Sequence, residues 1–179
     1  VGLDALAVEW ADLPPRHRSL QALIDWSYDL LSPVEQRLLR RLAVFAGGFT
    51  LEAAEMICDE ENEANVPGSL TKLVNNSLVV VDRAPGRETR YDLHEMIRQY
   101  ALAKLVEEGA EERLRGRHGA FFCRLAEEAE PRLYSGEQMA WLDRLDSEHD
   151  NLRAALDWSL SSRTTNVEFG LRFAAALTY

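Results

Sequence analysis

His94 is the residue of this chain best placed to do chemistry. It sits in Tyr91-Asp92-Leu93-His94-Glu95-Met96-Ile97, where a short strand gives way to helical spacing, with Ile97, Tyr100, Ala101 and Leu105 on one face. The helix is expected to begin at Asp92 or Leu93, with Glu95 in its first turn. An imidazole there is a single-point hydrogen-bond donor at the end of a helix whose dipole favours an anion. With an ordinary pKa of about 6.5 it can donate in either protonation state. The plain alternative is a His that only hydrogen-bonds locally.

Other reactive groups are sparse. Arg16-His17-Arg18 is a short basic stretch that either lines a cleft or is simply solvated. Arg113, Arg115, Arg117 and Arg124 are interleaved with Glu111, Glu112, Glu127 and Glu128, the pattern of a mixed helix surface. The four His, at 17, 94, 118 and 149, are scattered, and no Cys/His grouping has metal spacing. Neither Gly-x-x-x-x-Gly-Lys-[Ser/Thr] nor Gly-x-Gly-x-x-Gly occurs, so this stretch alone cannot cradle a triphosphate. No catalysis and no bound cofactor are expected of it.

The elements that must position these residues are mostly helical. A chain of 179 residues, 46% hydrophobic and 28% charged, can bury a real core and reads as soluble and globular. No run reaches the ~18 apolar residues of a membrane helix, and no signal peptide is visible. Cys58 and Cys123 give no disulfide framework, which suits a reducing cytoplasm. The missing initiator Met suggests a piece of a longer protein. Residues 1–15 read as the tail of a preceding domain or a linker, because Pro14-Pro15 breaks any helix there.

A first helix is expected from Ser19, as its cap, to about Leu31, burying Leu20, Leu23, Ile24, Ser27, Leu30 and Leu31. Ser32-Pro33-Val34-Glu35 is a capping box opening a second helix that Gly47-Gly48 would end. Thr50 caps a third helix to about Cys58, and a fourth runs from about Pro67 to Asn76. Leu78–Asp82 and Thr89–Leu93 flank Ala84-Pro85-Gly86-Arg87, which suits a type II turn. The helix holding His94 stops at Gly109. Beyond it only helices are expected: Glu111 to about Ala129, closed by Pro131, then three opened by capping boxes at Ser135, Ser147 and Thr165. Trp26, Trp141 and Trp158 are assigned to cores. The fold class is mostly α with one small β-hairpin: a winged-helix domain over 16–109, then antiparallel helical-repeat helices over 110–179. The two halves are expected to have separate cores meeting near Gly109, with an exposed apolar end over Phe173–Tyr179.

Several stretches together resemble one family. Leu93-His94-Glu95 has the form of the hydrophobic-His-acidic motif of the STAND signal-transduction NTPases, the group that includes the NB-ARC ATPases and many bacterial LuxR- and SARP-type regulators, with Glu where Asp is more usual. Arg18–Ser32, Arg40–Phe49, Trp141–Leu145 and Glu148–Leu156 resemble the helix that opens that module, the next helix and its exit, and the start of a TPR-like arm. The resemblance implies that His94 contacts a phosphate of ADP held by an upstream P-loop domain, with Arg16 and Arg18 as further candidates lining the nucleotide or interdomain cleft. It also implies ADP or ATP with Mg in the full-length protein, and an arm that receives a protein or small-molecule inducer.

Two readings follow. One is a regulatory module of a STAND ATPase that responds to nucleotide and inducer by a population shift. The other is a DNA-binding winged-helix regulator with a helical dimerisation region. Between Thr50 and Ser77 six carboxylates face the single base Lys72. Phosphate binding needs cations, so no direct DNA binding and no membrane association are expected.

Overall fold

Ser32 and Glu35 close the predicted capping box. The Ser32 Oγ accepts from the Glu35 amide at 3.4 Å, and the Glu35 carboxylate accepts from the Ser32 amide at 2.8 Å. This opens α2 (Pro33–Leu42) in a computed structural model that describes residues 15–59, 65–83 and 88–161, with 172, 173 and 175 beyond them; for 15–20 and 161 it describes the backbone alone. Around α2 stand α1 (Pro15–Asp29), α3 (Leu51–Cys58), α4 (Val66–Asn75) and α5 (Glu95–Glu107). The strands β1 (Val80–Asp82) and β2 (Arg90–Asp92) pair antiparallel, Val81 opposite Tyr91. Phe49 and Tyr91 add a bridge with two main-chain bonds of 2.8 Å. The helical arm follows as α6 (Glu111–Arg132), α7 (Gln138–Ser147) and α8 (His149–Ser161). The molecule is therefore mostly helical with one small antiparallel sheet, the expected class. The Ala84–Arg87 turn and the Thr165 capping box lie outside the described residues.

Up to Gly109, three caps fall where expected, the Ser32 box among them. Thr50 Oγ1 accepts from the Ala53 amide at 3.1 Å, and Gly109 takes the left-handed φ of 71° that ends α5. Three expectations need correcting at the first helix. It begins at Pro15, so Ser19 lies inside it rather than capping it. Its buried face is Ile24, Tyr28 and Leu31, while Leu23, Leu30 and Trp26 are exposed. Both sets have helical spacing. Packing chose the one that lets Tyr28 meet the Tyr100 ring edge-on at 5.5 Å and accept from Arg40. Trp26 is therefore a surface residue, whereas Trp141 and Trp158 are partly buried.

The arm departs from expectation in its capping. Pro131 lies inside the last turn of α6 rather than closing it a turn earlier. Ser135 bonds to Arg132 O and the Glu137 amide within the turn before α7. Ser147 ends α7, donating to Asp143 O, and does not cap α8. Gly47-Gly48 does not end α2 either, which stops at Leu42.

The largest correction concerns the core. A single cluster of buried side chains runs from Leu38, Leu42 and Phe45 through Phe49 and Ile57 to Leu114, Phe122, Leu152 and Phe173. The two expected cores are one, because α6 packs along α3 as well as α8. The aromatic rings of Phe45, His118 and Phe122 meet across that junction. Phe173 is buried rather than exposed, and Arg172 beside it pairs with Glu127 at 2.7 Å. Among the described residues no helix is long and apolar enough to cross a membrane.

Candidate nucleic-acid interface

The fourth helix is held so that one face looks outward. Val66, Ser69, Leu70 and Leu73 are buried against the body, and Asn65 Oδ1 caps the start by accepting from the Gly68 amide at 3.0 Å. Lys72 reaches Glu35 of α2 at 2.8 Å. That ammonium is the main reason the buried Glu35 carboxyl sits below its ordinary range, with the Ser32 amide adding to it. On the outer face stand Pro67, Thr71, Lys72 and Asn75, followed by Asn76 and Ser77, all exposed. Ser77 has φ of 59°, so the chain turns sharply from α4 into β1. Hydroxyls, amides and an ammonium are the groups that meet base edges and phosphates.

No carboxylate lies on α4. The acids counted between Thr50 and Ser77 sit elsewhere. Glu52 is on α3 and turned toward Arg144 of α7 at 3.8 Å, Glu55 is also on α3, Asp59 follows it, and Glu60, Glu61 and Glu63 lie outside the described residues. Charge summed along the chain is thus not charge summed over a face. Arg37 on α2 and Arg83 after β1 are exposed as well, and the wing also carries exposed Asp82 and Glu88.

His94 is exposed at the N-cap of α5, and its side chain makes no cap bond. The helix begins at Glu95, later than the Asp92 or Leu93 expected. Asp92 instead accepts from the Leu93 amide at 2.8 Å, and Glu95 is paired with Arg98 at 2.8 Å. Arg16 and Arg18 fall in the first turns of α1, and their side chains lie outside the described residues. Among the described residues no group of His, Cys, Asp and Glu could hold a metal ion. Arg117 has a structural task, donating to Met56 O and Asp59 O at the end of α3. Arg115 pairs with Glu111 at 2.8 Å, as a mixed helix surface requires.

Sequence reasoning missed a buried polar knot between wing and arm. Arg90 of β2 pairs with Glu148 at 2.5 Å and donates to Gly48 O and Ser147 O. Asn151 Nδ2 donates to Gly48 O and to Glu148, both at 2.9 Å, while its Oδ1 accepts from the Ala46 amide at 3.0 Å and lies 3.4 Å from His118 Nε2. Burial pushes His118 down to about 4. The one signal in sequence was Gly48, whose missing side chain admits Arg90. A Cβ on Gly48 would stand 3.3 Å from Arg90 Nε and from Tyr91 O.

Comparison with known proteins identifies the scaffold. Residues 31–109 match the family described as "Winged helix-turn-helix domain". The chain is 42% identical over 146 residues to a Mycobacterium tuberculosis (strain H37Rv) protein named "Putative HTH-type transcriptional regulator", a match covering 80% of this chain and 16% of that protein. A Mycobacterium bovis protein of the same description matches equally. An uncharacterized protein of M. tuberculosis H37Rv is 45% identical over 95 residues, covering 51% of this chain and 24% of its own length. The chain thus spans about a sixth of the length of the regulators it matches. No solved structure is a significant match. The expectation of no direct DNA binding is overturned by the winged helix-turn-helix match and by relatives named as HTH-type regulators. It rested on carboxylates that are not on α4.

Proposed function

We propose that this chain is a DNA-binding winged-helix module of a transcriptional regulator, presenting α4 to a groove of duplex DNA with β1–β2 as the wing beside it. The observation that carries the reading is the outer face of α4: Thr71, Lys72 and Asn75 exposed, no carboxylate on the helix itself and Lys72 paired with Glu35 of α2, on a helix-turn-helix scaffold. The helical arm then serves as the part that dimerises or receives an inducer, and its helices are read as the start of a TPR-like repeat.

Fluorescence anisotropy with a random-sequence duplex tests it. Binding should weaken as salt rises, and Lys72→Ala should weaken it further and flatten the log–log salt slope by about 0.9 for one lost phosphate contact. An absence of salt-dependent binding up to about 100 µM protein, the weak end of non-specific affinity, overturns the reading.

A second reading concerns the longer protein. His94 is exposed at a helix start with its imidazole engaged in no cap bond, which suits a donor to a phosphate. In a STAND-type ATPase that phosphate belongs to ADP or ATP, with Mg, on an upstream domain, and α5 reports the nucleotide state. His94→Ala in the full-length protein should then speed ADP release. Unchanged release in a fluorescent-nucleotide exchange assay makes His94 an ordinary N-cap residue.

A further inference from the structure

We propose that Arg90 is the positioning residue of the wing, and that the helical arm sets the wing's attitude, and with it DNA affinity, through Arg90. The proposal rests on the DNA-binding reading above. Arg90 begins β2, opposite Asp82 of β1, so its placement fixes the strand that carries the wing. Its guanidinium has three acceptors in two different places. Gly48 O, at 2.6 Å, belongs to the loop between α2 and α3; Ser147 O at 3.0 Å is at the last residue of α7, and the Glu148 carboxylate at 2.5 Å is at the turn that leads from it into α8.

A planar fork with fixed donors cannot follow one set of acceptors without turning away from the other. The turn is itself tied down. Asn151, buried, holds the second Glu148 oxygen and the same Gly48 carbonyl, so the arm and the wing share one hydrogen-bonded unit. Gly48 is the position that lets the guanidinium lie against the backbone. The arm's side of the clasp is held at Asn151 but is reached through α7, which ends at Ser147 and has no buried residue, so movement enters there. A partner that shifts α7 therefore shifts Ser147 and Glu148, and β2 follows.

The test uses the full chain with spin labels on Asp82→Cys and Asp146→Cys, in a Cys58→Ala, Cys123→Ala background, together with duplex anisotropy on the unlabelled protein. Arg90→Lys keeps the charge and loses the fork; Glu148→Gln keeps the shape and loses the charge. Each should broaden the label-to-label distance distribution and weaken binding of a random-sequence duplex by about tenfold. The double variant should bind no more weakly than either single one, because both break the same contact. Gly48→Ala, which crowds the guanidinium and removes no charge, should act in the same direction. Should Glu148→Gln fail to fold, Arg90→Lys and Gly48→Ala carry the test. Variants that melt earlier but leave the distances and the affinity of the folded protein unchanged overturn the proposal. If the unaltered chain binds no duplex, the DNA-binding reading falls, and unchanged distances in the variants then also dismiss Arg90 as the positioning residue.

Discussion

Helices α2 and α7 have ten residues each and opposite fates. In α2 Glu35, Leu38, Leu39, Arg41 and Leu42 are buried, half of the helix, whereas α7 buries none. The first is enclosed by α4 and α5, and even its buried Arg41 is used, donating to Cys58 O at 2.6 Å. The second rests on the rim of α6 and α8, with the guanidinium groups of Arg132 and Arg144 over the Trp141 ring and Met139 and Leu142 facing solvent. Cation–π contacts at such exposed sites contribute about 0.5–1 kcal/mol each, against about 1.5–3 kcal/mol for each fully buried Leu or Phe. The molecule can therefore give at α7 and not at α2. Few buried contacts mean a low free energy of local opening, so α7 should open well before α2 does.

The largest effect is expected in the shared core. Phe45→Ala and Phe122→Ala should each cost about 3–5 kcal/mol in urea unfolding. Both should shift one common transition, although the two residues lie on opposite sides of Gly109 in sequence. Two separable transitions, only one of them moved, would restore the picture of independent halves.

A smaller effect is expected from pH. His118 is buried neutral against Phe45 and Phe122, with Asn151 the partner that favours its charged form and Arg115 a cation that opposes it. Its folded pKa of about 4 lies below the ordinary 6.5, so between those values the unfolded chain binds more protons. The stability from keeping it neutral is complete above about pH 6.5 and is lost as pH falls toward 4, to an extent of about 3 kcal/mol. Urea midpoints of the unaltered chain and of His118→Gln, compared at pH 7.5 and pH 5, should show the difference between them narrowing or reversing at the lower pH. A constant gap would mean His118 is charged or hydrated in the folded state.

The smallest effect sharpens the other side of the comparison. Leu142→Ala on the exposed face of α7 should change stability by less than about 0.5 kcal/mol. A loss as large as that of a core leucine would show α7 to be covered.

Local signals were readable from sequence because local physics makes them. The capping box at Ser32, the Thr50 cap, Gly109 and the strand pair all depend on residues a few positions apart. The outer face of α4, with Thr71, Lys72 and Asn75, was not read from the sequence, because Glu52 and Glu55 of the neighbouring helix were counted with it. The phase of α1 was half legible: Ile24 and Leu31 of the expected stripe are buried, but Leu23 and Leu30 are not, and Tyr28 takes their place through Tyr100 and Arg40, far along the chain. Nor was the pairing of Arg90 with Glu148, 58 positions apart, or that of Asn151 with the Ala46 amide, 105 apart. Nothing in local spacing encodes a contact of that kind.

The continuous core also decides how the protein can be divided. The winged-helix match ends at residue 109, which invites a cut there to obtain a minimal domain. Such a cut would strip Phe122 and His118 from the ring of Phe45, and α6 from its packing on α3. The recombinant piece would carry a contiguous apolar scar, the usual origin of insoluble protein. A soluble minimal version must keep α6 and α8, so the smallest workable unit is larger than its family boundary.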